Sequence, residues 1–216
     1  MPENANHQSS MKSNMLLSAV GAAALMCLMS VANAATVGQK APDFTLESID
    51  GKMHALSDFA GKVVVLEWTN YGCPFVKKHY NSGNMQKLQA EAKGKDVVWL
   101  SICSSAEGKQ GSMSPSEWQA ATKERGVESA AVLLDESGKV GRLYGAIATP
   151  HMFVIDESGT LVYDGAIDSI PSTSQADIAR TENYVTSAVN AALAGQKVAK
   201  PKNKPYGCDI KYARDS

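Results

Sequence analysis

The chain has 216 residues, 44% hydrophobic and 20% charged, with a formal net charge of −1. That balance excludes electrostatic capture of nucleic acid as the organising function. With a leader set aside, the length suits one domain with a sizeable core.

The first residues read as a targeting segment. Met11-Lys12 opens a short basic region, Met15 to Val31 is apolar and small, and Ala32-Asn33-Ala34 supplies a small-x-small cleavage pattern. The chain is therefore expected to be exported, to a bacterial periplasm, with residues 1–34 removed and no permanent membrane span. Cys27 goes with this leader, since Leu25-Met26 before it does not match a lipid-attachment site. Residues 35–194 then form the domain. Residues 195–216 form a basic, Pro-containing tail carrying Cys208, with Lys197, Lys200, Lys202 and Lys204 read as a solvated linker.

Ala41 to Leu46 is an extended lead-in, and Asp50-Gly51-Lys52 is a hairpin turn returning through His54-Ala55-Leu56. Ser57 to Gly61 is a helical turn closed by glycine, and Lys62 to Trp68 a buried strand. A helix runs from Cys73 to Tyr80, breaks at Asn81-Ser82-Gly83, and resumes from Asn84 to Gly94 with Met85, Leu88 and Ala92 on one face. Val97 to Ile102 is the second strand, followed by the Gly/Ser loop 104–114. Pro115 to Arg125 is a helix, with Ser114 and Glu117 forming a capping box. Ala131 to Leu134 is a strand and Gly138 to Tyr144 a short helix. Met152 to Asp156 turns through Glu157-Ser158-Gly159 into Thr160 to Tyr163 as an antiparallel pair, and Ala176 to Leu193 is the last helix. Alternating strands and helices predict an α/β fold, a mixed sheet flanked by helices.

Three thiols survive the leader: Cys73, Cys103 and Cys208. Export implies a compartment where disulfides persist, and an odd number leaves one thiol free or paired with another molecule. Cys73 stands out. Pro74 favours the first helical position, where its missing N–H was unpaired anyway, and this puts Cys73 at the N-cap. Unpaired N–H groups and the positive end of the helix dipole favour the thiolate, so a thiol of ordinary pKa about 8.5 becomes more acidic and more reactive.

Gly38-Gln39-Lys40-Ala41-Pro42-Asp43-Phe44, Leu56-Ser57-Asp58-Phe59-Ala60-Gly61-Lys62-Val63-Val64-Val65-Leu66 and Tyr144 to Asp156 with Thr149-Pro150 resemble, in this order, the thioredoxin-like superfamily. The branch they resemble is the redoxin or alkyl hydroperoxide reductase/thiol-specific antioxidant (AhpC/TSA) branch, over about Thr36 to Ala194. The ending Pro205 to Tyr212 is similar to that of exported redoxins. The resemblance implies a thioredoxin-like fold, a cis Pro150 and the backbone of Thr149 beside the sulfur of Cys73. The chain also departs from the pattern. Val76 stands where thioredoxins carry their second cysteine. Leu66 and Asn70 stand where peroxiredoxins carry proline and threonine, and Pro150 where they carry arginine.

The expected activity is thiol–disulfide exchange by Cys73, with disulfide-bearing proteins or small oxidants as partners, an external thiol as reductant, and no cofactor. An atypical peroxiredoxin and a noncatalytic binding protein of the same fold are the alternatives. Cys208 is the candidate resolving thiol, or else a staple for the tail or a free thiol; a Cys73–Cys103 pair is a further option, with Cys103 otherwise a small buried hydrophobe. His151 is expected to approach the sulfur, to stabilise thiolate or shuttle a proton, or else to be a surface residue. Glu67 is a candidate proton acceptor, or else faces solvent or binds Lys77. His79 reads as structural, and Trp68 and Tyr71 as packing around the sulfur. Convergence of Cys73, His151 and Cys208 on copper or zinc has no metal-type spacing behind it.

Overall fold

The computed structural model describes residues 34–214. The leader expected over residues 1–34, with Cys27, lies outside the described residues apart from Ala34. No helix among those described is long and apolar enough to cross a membrane.

The strands are β1 (Thr45–Ser48), β2 (Met53–Ala55), β3 (Val64–Trp68), β4 (Val98–Cys103), β5 (Ala131–Leu134), β6 (Ala148–Thr149), β7 (His151–Ile155), β8 (Leu161–Gly165) and β9 (Cys208–Asp209). The helices are α1 (Pro74–Asn81), α2 (Asn84–Gly94), α3 (Pro115–Glu124), α4 (Lys139–Tyr144) and α5 (Tyr184–Leu193). Seven strands form a mixed sheet in the order β2-β1-β5-β4-β3-β7-β8. β3, β4 and β5 run parallel at its centre, and antiparallel strands finish both edges. This is the α/β architecture the alternation of elements predicts.

Every residue of β3 is buried, as expected of a central strand covered on both faces. Its side chains, with Val63 just before it, alternate between two cores. Val63 and Val65 face Met85, Leu88, Trp118, Val185 and Val189, while Val64, Leu66 and Trp68 face Tyr144, Phe153 and Leu161. Cys73 belongs to the first core. The boxed cap on α3 forms as predicted: Ser114 N–H donates to Glu117 Oε2 at 2.8 Å, and Glu117 N–H to the Ser114 hydroxyl at 3.4 Å.

The last helix is shorter than its periodicity predicts. Residues Gln175–Arg180 form a 3₁₀ turn, and α5 starts at Tyr184 behind an Asn183 cap that accepts from Thr186 N–H at 2.8 Å. The reason is tertiary. Asp168 bridges Asn183, and Ser169 bonds to Thr181 and Glu182, which holds residues 181–183 extended.

The tail also differs from a solvated linker. Val198 and Ile210 are buried. Asp164 N–H donates to the Pro201 carbonyl and Ala106 N–H to the Lys211 carbonyl, at 3.0 and 2.9 Å. The Tyr212 hydroxyl donates to the Ala146 carbonyl at 2.7 Å, and the Arg142 guanidinium lies over the Tyr212 ring. Lysine-rich composition hides these anchors, because only a few side chains of the tail carry them.

Candidate active site

Cys73 caps α1 in extended conformation, with Pro74 at the first helical position as the sequence predicts. The turn before it is tied by Asn70. Its Oδ1 accepts from Gly72 N–H at 2.8 Å, its Nδ2 donates to the Gln110 carbonyl at 3.0 Å, and Cys73 N–H donates to the Asn70 carbonyl at 2.9 Å. Across from this turn the Thr149–Pro150 bond is cis. The Cys73 thiol donates to the Thr149 carbonyl at 3.1 Å.

The tail completes the site. β9 pairs antiparallel with β6, putting Asp209 opposite Ala148 and Cys208 opposite Thr149, the residue whose carbonyl the Cys73 thiol bonds. Gly207 makes the approach possible. It sits at φ +140°, where L side chains are disfavoured, and a Cβ there would lie 2.6 Å from the Thr149 carbonyl carbon and closer still to its oxygen.

The two thiols are electrostatically unlike. Burial pushes the Cys73 thiol up, but interactions with the side chains of Cys208 and Thr149 and with the Val76 and Cys208 N–H groups bring it below its ordinary value. The Thr149 carbonyl, an acceptor only, favours the protonated form and limits that effect. Burial raises the Cys208 thiol, and its hydrogen bond and charge repulsion with Cys73 take it up to about 12. The pair therefore loses its first proton mainly from Cys73. Cys103 is separate. It is buried, its thiol reaches the Gly111 carbonyl at 3.5 Å, and burial raises its pKa.

Glu67 lies six residues before Cys73 and is fully buried. Its carboxyl accepts from the Trp99 indole at 2.9 Å, Tyr80 hydroxyl at 3.0 Å, Ser101 hydroxyl at 3.1 Å and Gln89 amide at 3.2 Å. Burial raises its pKa against these donors. It neither faces solvent nor binds Lys77.

His151 does not approach the sulfur as expected. Strand alternation points it to the face opposite Cys73, where its ring packs on Phe153 at 4.4 Å. Its Nδ1 accepts from Ile147 N–H at 3.3 Å and its Nε2 bonds Asp164 Oδ1 at 2.8 Å. The trio Cys73, His151 and Cys208 therefore does not converge on a metal. Trp68 also lies on that opposite face, bonded to the Ser104 hydroxyl at 3.0 Å, whereas Tyr71 does pack in the core of Cys73. His79 is buried beside Asn84, and burial lowers its pKa to about 4.

Sequence reasoning missed the buried ion pair beneath the tail. Lys78 and Asp168 form a fully buried ion pair at 3.3 Å, and the Tyr206 hydroxyl donates to Asp168 while its ring meets Phe75 of α1. A lysine predicted on a helix face gives no sign of its burial. The run Tyr206-Gly207-Cys208 was the available signal, a glycine beside a cysteine marking close backbone approach.

The Redoxin family model matches residues 36–182. Thiol-disulfide oxidoreductase ResA of Bacillus thuringiensis subsp. konkukian is 25% identical over 59% of this chain and 68% of its own length. Thioredoxin-like protein YneN of Bacillus subtilis is 30% identical over 57% of this chain and 68% of its own. The crystal structure of a hypothetical protein from Sinorhizobium meliloti 1021 superposes with a TM-score of 0.71 at 26% identity, covering 85% of this chain and 98% of that one.

Proposed function

Because the chain belongs to the Redoxin family and has a thioredoxin-like fold, we propose that it is an exported thiol–disulfide oxidoreductase whose working pair is Cys73 and Cys208. The Cys73 thiolate attacks one sulfur of a substrate disulfide; the other substrate sulfur leaves with the electron pair. Cys208 then attacks the Cys73 sulfur of the mixed disulfide, which releases the second substrate thiolate and leaves a Cys73–Cys208 disulfide. Cys208 thus does the work that Val76 cannot. Thr149 and Pro150 shape the site, with the Thr149 hydroxyl donating to the Cys208 carbonyl at 3.4 Å. Glu67 is read as the buried proton acceptor beneath the turn, and export rests on the pattern around Ala32-Asn33-Ala34.

The observation that supports this reading is the pairing of Cys208 with Thr149, the residue whose carbonyl bonds the Cys73 thiol. The names of the oxidoreductase relatives agree with it. The test is oxidation of the full chain with diamide, followed by peptide mapping. A Cys73–Cys208 cross-link with Cys103 left as a thiol is expected, and reductase turnover on a disulfide substrate should vanish in Cys73→Ser. A Cys73–Cys103 link, or turnover that survives Cys73→Ser, overturns the assignment.

A further inference from the structure

The two sulfurs differ in access. Cys73 has no solvent-exposed surface, with the Thr149 carbonyl on its sulfur and the tail strand across it. Cys208 keeps part of its surface in solvent. Thiol–disulfide exchange is an in-line displacement, in which the attacking thiolate arrives behind the sulfur it attacks, opposite the sulfur that leaves. The two cysteines meet at Thr149, whose carbonyl accepts from the Cys73 thiol and whose strand pairs with that of Cys208. Cys73 lies within the packed core that holds Tyr71 and Val76, whereas Cys208 packs against the edge of that core and stays half-buried.

We propose that the oxidised pair is opened at Cys208, which receives the incoming thiol while Cys73 is the sulfur that departs. This rests on the Cys73–Cys208 disulfide of the preceding section. A thiolate of the external reductant bonds to the Cys208 sulfur, the Cys73–Cys208 bond breaks, and its electron pair remains on Cys73. A second reductant thiolate attacks the outer sulfur of the mixed disulfide. The reductant leaves as a disulfide, and the electron pair on Cys208 takes up a proton from water. Two thiols are oxidised to one disulfide and the protein disulfide is reduced to two thiols. The Val76 N–H at the start of α1 holds the charge on the departing Cys73. The pair thus has two doors: substrate disulfides are attacked by Cys73, and reducing thiols arrive at Cys208.

The flanking charges differ as well, which makes the proposal testable. Asp209 and Lys211 act electrostatically on Cys208, whereas Cys73 is flanked by Gly72 and Pro74. Oxidised full-length protein is mixed with excess 2-mercaptoethanesulfonate, quenched in acid at successive times and peptide-mapped. The mixed disulfide should sit on Cys208 with about a tenfold or greater preference; an adduct on Cys73, or equal labelling, overturns the proposal. A second measurement covers the case in which no adduct accumulates. In Asp209→Lys, reduction by the anionic probe should speed up, and reduction by cationic cysteamine slow down, each on the order of threefold at low salt. Unchanged rates with both probes overturn the proposal. If diamide never forms the Cys73–Cys208 link, the parent reading falls and takes this one with it. If the link forms but opens at Cys73, only this one falls.

Discussion

Gly207→Ala tests whether the tail governs access to Cys73. The new methyl would lie 2.6 Å from the Thr149 carbonyl carbon and 3.3 Å from Pro150 N, both backbone atoms that cannot swing aside. The residue would also be held at φ +140°. Left-handed strain of about 1–3 kcal/mol and overpacking of about 1–3 kcal/mol both act against the docked tail. Taking about 2 kcal/mol as the combined lower bound, the docked-to-released ratio falls about 30-fold. Cys73 is fully buried when the tail is docked, so in reduced protein it reacts only through the released fraction. Its rate with an aromatic disulfide reagent should rise accordingly, with peptide mapping identifying the labelled cysteine. Release also removes the Cys208 donors, which lets the Cys73 pKa climb and lowers its thiolate share near neutrality. Measuring above pH about 9, past the ordinary thiol pKa, removes that offset. A variant with unchanged circular dichroism and a Cys73 rate within about twofold of the parent refutes the reasoning, since the calculated shift is an order of magnitude larger.

The two thiols set opposite pH limbs on the stability of the reduced protein. The lowered Cys73 contributes stability that is full above the unfolded thiol pKa of about 8.5 and is lost as pH falls through its folded value. The raised Cys208 contributes stability that is full below about 8.5 and is lost as pH rises toward about 12, so the urea midpoint should peak near 8.5 and flatten when both are alanine. Hydrogen peroxide should react slowly compared with disulfides, because the Asn70 amide is already committed to Gly72 and Gln110 and Pro150 offers no charge; fast, saturable peroxide turnover would contradict this. Glu67→Ala should lower stability by about 3 kcal/mol in urea titration, leaving the Trp99, Tyr80, Ser101 and Gln89 donors unpaired. Tyr206→Phe keeps the ring on Phe75 but loses the bond to Asp168, about 1.5 kcal/mol for a charged acceptor, and should raise Cys73 reactivity about tenfold.

The sheet was legible because its strands are short apolar runs bounded by turn residues, and the Ser114 cap because its partners are local in sequence. The last helix was overextended for the opposite reason. Residues 181–183 are held by Ser169 and Asp168, a tertiary contact that periodicity does not encode. The N-cap place of Cys73 follows from Pro74 alone. His151 was misplaced because neighbouring a site in sequence does not put a side chain on its face, and alternation along β7 sends it to the other core. The burial of Lys78 was invisible, since its partner Asp168 lies far along the chain and its cover, Tyr206, lies farther still.

The tail was the least legible part, although its imprint is spread through the domain as missing side chains. A Cβ at Gly138 or Gly141 would strike the Tyr212 ring, one at Gly165 would strike Asn203, and one at Gly207 would strike Thr149. Each close approach reads singly as an ordinary turn, strand or helix glycine, and only the docked tail gives them a common cause. For the proposed pair, docking has a thermodynamic consequence. Holding Cys208 against Cys73 before any bond forms raises the effective concentration of the second thiol and favours the disulfide. The donors gathered on Cys73 stabilise its thiolate and favour the reduced state. The balance between the two sides of the couple is therefore divided between distant parts of the chain. The glycines under the tail govern the first term and the α1 N-cap governs much of the second, so substitutions at Gly138, Gly141 or Gly165 would shift the redox balance without touching either sulfur.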